Sequence, residues 1–349
     1  MRFKNVYIEG LAYHLPKNIV SSEDLEKRLA PVYDRLKLPF GRLEMMTGIK
    51  ERRFWDKGVS SSQVASKAGE LAVLNSGIDR VEIGCLINAS VCRDFLEPAT
   101  ASLVHHNLGL HTSALVFDIS NACLGVLNGM VHVANMIELG QIRAGLVVAG
   151  ENGGPLVDAT IESLLNKSDL TRNEIKSSFA SLTIASAAVG VLLVHKDLSV
   201  YKHRLLGGYS QAASQFNKLC RGNDESKTGI TNWSPLMKTD AETMMQEGCR
   251  LAGQTWACAK KNLGWSNDDV DSVFCHQVGH AHRKLLYETL SLGLEKDFST
   301  LEYLGNTGAA SLPSTLALGA EKGFLKSGDR IALLGIGSGL NCLMLGAEW

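Results

Sequence analysis

The feature that most limits what this chain can become is a pattern written twice, in the same order. Residues 81–91, VEIGCLINASV, and 270–279, VDSVFCHQVG, each read as a buried strand leaving a short turn. Further on, each copy carries a small-residue turn that opens a helix: DISNACLGVLNGM at 118–130 and GNTGAASLPSTLAL at 305–318. Each helix runs through a glycine-bearing turn into an apolar strand that ends in glycine, LGQIRAGLVVAG at 139–150 and GFLKSGDRIALLGIG at 323–337. Continuous Val/Ile/Leu/Ala strands alternating with amphipathic helices imply parallel sheets covered on both faces. The chain is therefore read as an α/β protein of two duplicated halves with pseudo-twofold symmetry, 1–190 and 191–349, the boundary falling between 180 and 200. Residues 151–180 and 200–240 follow no repeat and are read as insertions that roof a shared cleft, where α/β sheets bind ligands.

Composition excludes several classes. With 45% hydrophobic and 20% charged residues the chain can bury sizeable cores. Lys+Arg 35 against Asp+Glu 36 gives a net charge of −1 and no basic face, so nucleic acid is not an expected partner. The N-terminus lacks the apolar core of a signal peptide, and apolar stretches such as Ile331–Ile336 fall far short of the roughly 18–20 residues that span a bilayer. Eight cysteines show neither a CxxC nor paired short spacing, which fits a reducing cytoplasm better than a disulfide framework or a zinc site.

One thiol stands apart. Cys123 lies in SNACLG, after the strand LVFDIS and ahead of an apolar-periodic helix. Unpaired N–H groups at a helix N-terminus favour a thiolate, the nucleophilic form, so Cys123 is the best-placed cysteine for covalent catalysis; packing filler is the other reading. The second copy offers partners at equivalent turns: His276 ends VFCHQVG and Asn306 lies in LGNTGAAS. An imidazole can exchange a proton near pH 7, and a carboxamide can donate a hydrogen bond to a developing enolate. GIGSG at 335–339 lets the backbone approach a ligand and could present the Ser338 amide to an oxyanion beside that of Cys123. His105, His106 and His111, or His276, His280 and His282, do not form a convincing metal set, so no metal is expected. Cys92 and Cys275 read as packing, and the methionines within 237–245 as helix suited to lining an acyl channel.

The Cys123 turn, the His276-Gln277 pair, GNTGAAS with Asn306, and TGIKERR at 47–53 resemble the thiolase superfamily, closest to 3-oxoacyl-(acyl-carrier-protein) synthase III. The resemblance runs over the whole chain. It implies a five-layered αβαβα fold, a homodimer, and acyl transfer from coenzyme A thioesters onto Cys123, with coenzyme A entering as substrate and no separate cofactor. SVCRDFLEPATA at 90–101, NKLCRGN at 217–223 and GIGSGLNC at 335–342 are similar to the long-chain acyl-CoA condensing branch that begins bacterial head-to-head olefin biosynthesis. In that branch the glutamate matching Glu97 enters the neighbouring subunit's site as the base.

The chemistry agrees with this assignment. A decarboxylative condensation makes its carbanion by losing carbon dioxide, whereas joining two simple acyl thioesters requires a base for an α-proton. The expected reaction is thus a non-decarboxylative Claisen condensation to a 2-alkyl-3-oxoacyl product, with downstream pathway enzymes to consume it. The alternatives are a decarboxylative synthase using a malonyl thioester and, more remotely, a non-catalytic acyl-binding paralogue. Two arginines that hold coenzyme A or carrier protein in the wider family are replaced here by Met46 and Ala281, leaving Arg52, Arg53, Arg221 and Arg283 as candidate phosphate contacts.

Overall fold

The computed structural model describes residues 1–222 and 236–349. Part of the proposed 200–240 insertion, with Asn223 of the NKLCRGN stretch, lies outside the described residues. In chain order the main sheet strands are β1 Val6–His14, β2 Ile83–Asn88, β3 Leu115–Asp118, β4 Ala144–Glu151, β5 Ala187–His195, β6 His203–Ala212, β7 Ser272–Cys275, β8 Arg330–Gly337 and β9 Asn341–Glu348. The helices that cover them are α1 Ser61–Ser76, α2 Thr100–Leu108, α3 Gly125–Glu138, α4 Ala241–Leu263, α5 His280–Leu290 and α6 Ser311–Glu321.

The duplication is visible in the pairing. In the first half β2 runs parallel to β3 and β4, while β5 is antiparallel to both β4 and β1. In the second half β7 runs parallel to β8, while β9 is antiparallel to both β8 and β6. A single parallel bridge, Val273 to Asp297, stands where β3 stands in the first copy. The halves join edge to edge through Tyr7–Arg204 and Ile8–His203, giving one nine-stranded sheet in the order β7-β8-β9-β6-β1-β5-β4-β2-β3.

Side-chain alternation then builds five layers. On β2, β4 and β8, Ile87, Val147 and Leu333 point to a middle layer formed by α3 (Val126, Met130, Val133) and α6 (Leu312, Leu316). Their neighbours Leu86 and Leu146 point the other way, onto α1 and α2, and Leu334 onto α4 and α5. Each such side chain, once buried, contributes about 1.5–3 kcal/mol. The two middle helices end alike: Gly140 and Gly323 both take φ 69°, a left-handed turn that L side chains avoid.

Three expectations need correction. The sheets are mixed, because β5 and β9 lie antiparallel to their neighbours, and helices on both faces let antiparallel strands be as continuously apolar as parallel ones. A cut at residue 190 would fall inside β5, so the crossing between halves is made by residues 196–202. Residues 203–212 are a strand of the main sheet, β6, and not part of an insertion. The segment after β4 is helical: helices Gly154–Asn166 and Arg172–Leu182 pack with helices Ser22–Arg28 and Ala30–Leu36 around Leu25, Val32, Val157, Ile161 and Phe179.

Candidate active site

Cys123 sits in a 3-10 turn, Ala122–Leu124, directly ahead of α3. The turn is forced by Ala122, whose φ of 44° is left-handed, a conformation sparsely used by residues other than glycine. Gly125 follows because any Cβ there would lie 2.2 Å from the Ala89 carbonyl oxygen. The second half clamps the same turn. The Asn341 side-chain amide donates to Asn121 Oδ1 at 3.0 Å, and Asn121 donates to Asn128 at 2.7 Å. The end of β8 also runs against the nucleophile, a Cβ on Gly337 falling 3.6 Å from the Cys123 nitrogen. The next residue, Ser338, lines the same cavity as Cys123.

His276 and Asn306 reach that cavity from the turns after β7 and before α6, and both are buried. The backbone N–H of His276 donates to Leu334 at 3.1 Å. Its Nδ1 is buried with no hydrogen-bond partner among the described residues, which leaves Nε2 to serve the cavity. Gln277 braces the turn by donating to Phe298 and accepting from Thr300. Asn306 is fixed on both sides of its peptide, donating to Thr183 and accepting from Ala185, and its Oδ1 accepts from the Gly308 N–H at 3.1 Å. The side-chain amide therefore has its N–H groups left for a ligand.

The electrostatics differ from the sequence expectation. Cys123 stands ahead of a helix as expected, yet its thiol is pushed up to about 12 by burial and by the nearby Glu151 carboxylate. His276 is lowered to about 3 by burial and by His282, which is itself lowered to about 4 by burial. The resting pair is a neutral thiol and a neutral imidazole. These shifts bear on stability. Between pH 6.5 and about 4, unfolding lets both histidines take up protons that the fold refuses, so stability falls as pH falls. Melting temperature should hold steady from pH 8 to 7 and drop by pH 5, with a shallower drop in His282→Gln; equal slopes would mean that the native state already carries that proton.

The predicted phosphate contacts separate. Arg52 is wholly buried: Nη2 donates to Ser22 at 3.0 Å, while Nε and Nη1 find no partner among the described residues. Arg53 donates to the Pro16 carbonyl, and Arg283 binds the buried Asp297, to which Tyr287 also donates. None of these three lines the cavity; each is bonded within the fold. Arg221 does line it, together with Arg93, Lys176, Lys218 and Lys238, four cations scattered over segments too far apart in sequence to read as a patch. Glu97 is exposed and outside the cavity of its own chain, on a loop whose Phe95 and Leu96 are 53% and 84% exposed. The cavity wall instead holds a carboxylate that sequence reasoning missed, Glu151.

A duplicated five-layer sheet, with a cysteine ahead of the first middle helix and a histidine and an asparagine on the second half's turns, marks the chain as a thiolase-type acyltransferase. The family models for 3-oxoacyl-(acyl-carrier-protein) synthase III match residues 117–168 and, for its C-terminal part, 260–349. The chain is 44% identical to an acyl-CoA:acyl-CoA alkyltransferase of Shewanella oneidensis and 39% identical to one of Xanthomonas campestris, in both cases over 100% of each chain. A crystal structure of Xanthomonas campestris OleA superposes with a TM-score of 0.94 at 38% identity, covering 100% of this chain and 98% of that one. Another structure of that protein, a cysteine-to-serine variant, holds lauric acid and lauroyl-CoA. The chain belongs to the acyl-CoA:acyl-CoA alkyltransferase family of synthase III-like enzymes.

Proposed function

We propose that the enzyme joins two acyl-CoA thioesters by a non-decarboxylative Claisen condensation. The observation that carries this reading is the cavity itself. Its volume is about 1610 Å³, beyond the roughly 300–1,000 Å³ of an ordinary small-molecule site, and Phe179, Leu219, Met237, Met244 and Met245 line it beside Cys123. Such a space can hold two long apolar chains, and unbranched methionines adapt to chains of different shape.

In this mechanism His276 takes the Cys123 proton as the sulfur attacks the first acyl carbonyl. The amides of Cys123 and Ser338 hold the oxyanion, and coenzyme A departs as the thiol. A second acyl-CoA then places its thioester oxygen against His276 and Asn306. Glu97 removes its α-proton, and the enolate carbon attacks the acyl-cysteine. The new carbon–carbon bond releases the Cys123 sulfur and leaves a 2-alkyl-3-oxoacyl thioester. The exposed Phe95-Leu96-Glu97 run supports delivery of Glu97 into the neighbouring site of a homodimer, since adjacent bare apolar side chains on a loop suit burial against another surface. No cofactor enters the scheme, and the chemistry suits the cytoplasm, where acyl-CoA is made.

The test incubates the purified enzyme with dodecanoyl-CoA alone and follows the products by mass spectrometry. A 2-decyl-3-oxo acid or its ketone is expected without malonyl thioester. Product formed only when malonyl-CoA is added, with release of carbon dioxide, would establish the decarboxylative reaction in its place.

A further inference from the structure

Glu151, the last residue of β4, is a carboxylate 4% exposed that no cation accompanies among the described residues. Its Oε1 accepts from the Val91 N–H at 2.8 Å and the Ala309 N–H at 3.2 Å, and its Oε2 accepts from the Cys92 N–H at 3.2 Å. Its own carbonyl accepts from the Trp55 indole at 2.9 Å. The carboxylate also packs against the turn that carries Asn306, a Cβ on Gly308 lying 3.2 Å from its Cδ. It therefore gathers three segments at one point: the start of the loop that runs on to Glu97, the turn of Asn306, and the wall beside Cys123.

A buried carboxylate without a counter-ion is costly, and three backbone donors only partly offset the loss of water. Holding two loops together does not by itself call for an anion. The duplication adds a second observation. The strand register matches Glu151 to Gly337, each pairing with the first residue of its antiparallel neighbour, Ala187 and Asn341, and both line the cavity. The second half uses a neutral residue there; the first places a charge next to the nucleophile.

We propose that Glu151 is a positioning residue of the condensation. Its carboxylate sets the Glu97 loop and the Asn306 turn in register, and its negative charge keeps the Cys123 sulfur protonated until a bound thioester and His276 together draw the proton away. A resting thiol resists stray oxidation and alkylation, while the acylation step still has its base. The direction agrees with the raised Cys123 thiol, for which Glu151 is the leading charged cause after burial. The other titratable groups lining the cavity with that sulfur include Cys220 on the 220–222 strand, His276, His282 on α5, Cys92, Arg93 and Asp94 on the loop after β2, Lys176, Lys218, Arg221, Lys238, Asp240 and Glu242. Of these, Cys220 contributes in the same direction more weakly.

This inference rests on the condensation reading for its role, but its test does not. Iodoacetamide alkylation of the Cys123 peptide, followed by mass spectrometry from pH 6 to 10, reports the thiol directly, whatever the acyl substrates are. In Glu151→Gln the alkylation rate at any given pH in this range, all of it below the wild-type thiol's value of about 12, should rise about tenfold. Condensation should fall at least about tenfold with KM for acyl-CoA changed less than about twofold. Glu151→Asp keeps the charge but withdraws it by one carbon. It should alkylate within about twofold of the wild-type rate and still lose condensation, and it decides the matter if the Gln variant fails to fold. An unchanged alkylation rate in a folded Gln variant, or full condensation in the Asp variant, would overturn the proposal. Loss of condensation in every protein, wild type included, would count against the reaction and leave the alkylation result standing.

Discussion

Two inactive proteins should make an active one when mixed. Under the proposed mechanism Cys123→Ala lacks the nucleophile and Glu97→Ala lacks the base for the α-proton, so each variant alone should condense acyl-CoA at least about a hundredfold more slowly than wild type. If Glu97 works in the neighbouring subunit's cavity, a heterodimer of the two variants contains one complete site: the cysteine of the Glu97→Ala chain served by the glutamate of the Cys123→Ala chain. Equal mixing with full subunit exchange makes half the dimers mixed and half their sites complete, so about one quarter of the wild-type rate should return. The physical basis is the placement of Glu97, exposed and not lining its own chain's cavity, next to Phe95 and Leu96, which stand largely exposed at that cavity's edge. A mixture as dead as its parents would mean that Glu97 serves its own chain or is not the base at all.

The second large effect concerns His276. With the Cys123 thiol pushed up to about 12, roughly one sulfur in 10⁵ is ionised at pH 7, too few to sustain rapid acylation unaided. His276, lowered to about 3, is neutral across the whole working range and able to accept the proton. His276→Ala should therefore slow formation of the S-acyl enzyme by on the order of 10³, measured by intact mass after rapid mixing with acyl-CoA. The pH profiles should separate as well. Wild-type acylation should be nearly flat from pH 6 to 9, because the base is already free throughout. The variant, relying on the thiolate fraction, should rise close to tenfold per pH unit over the same range. A variant as fast and as flat as wild type would remove His276 from the acylation step.

Much of this architecture was legible in the chain, for identifiable reasons. Strand, small-residue turn and helix recur in one order, and the structure repeats them as β2 with β7, α3 with α6, and β4 with β8. Strand direction was not legible. Ala187–His195 is apolar almost throughout because helices cover both faces, and such a run looks the same whichever way its neighbours point. β6 was hidden by its Gly-Gly-Tyr-Ser-Gln ending, since Gly207 and Gly208 suit a loop as readily as a strand. Arg52 was misread because KERR resembles a solvated charge run. Pairing of Arg52 with Val20 in a two-stranded ribbon turns that one side chain inward while its neighbours stay partly exposed. Glu151 escaped because a lone glutamate after VVAG looks like the wet end of a strand. The second copy has Gly337 in the matching place, so the repeat offered no carboxylate to compare it with.

The middle helices α3 and α6 are flanked by sheet on both sides and share one core drawn from the two halves. Neither half consequently owns a finished exterior. A fragment stopped after His195 would leave Leu124 and Leu127, which meet Gly335 of β8, facing water, and so would have no reason to hold the Cys123 turn in shape. The reacting groups thus cannot be parted by sliding one half on the other without opening the largest apolar seam in the molecule.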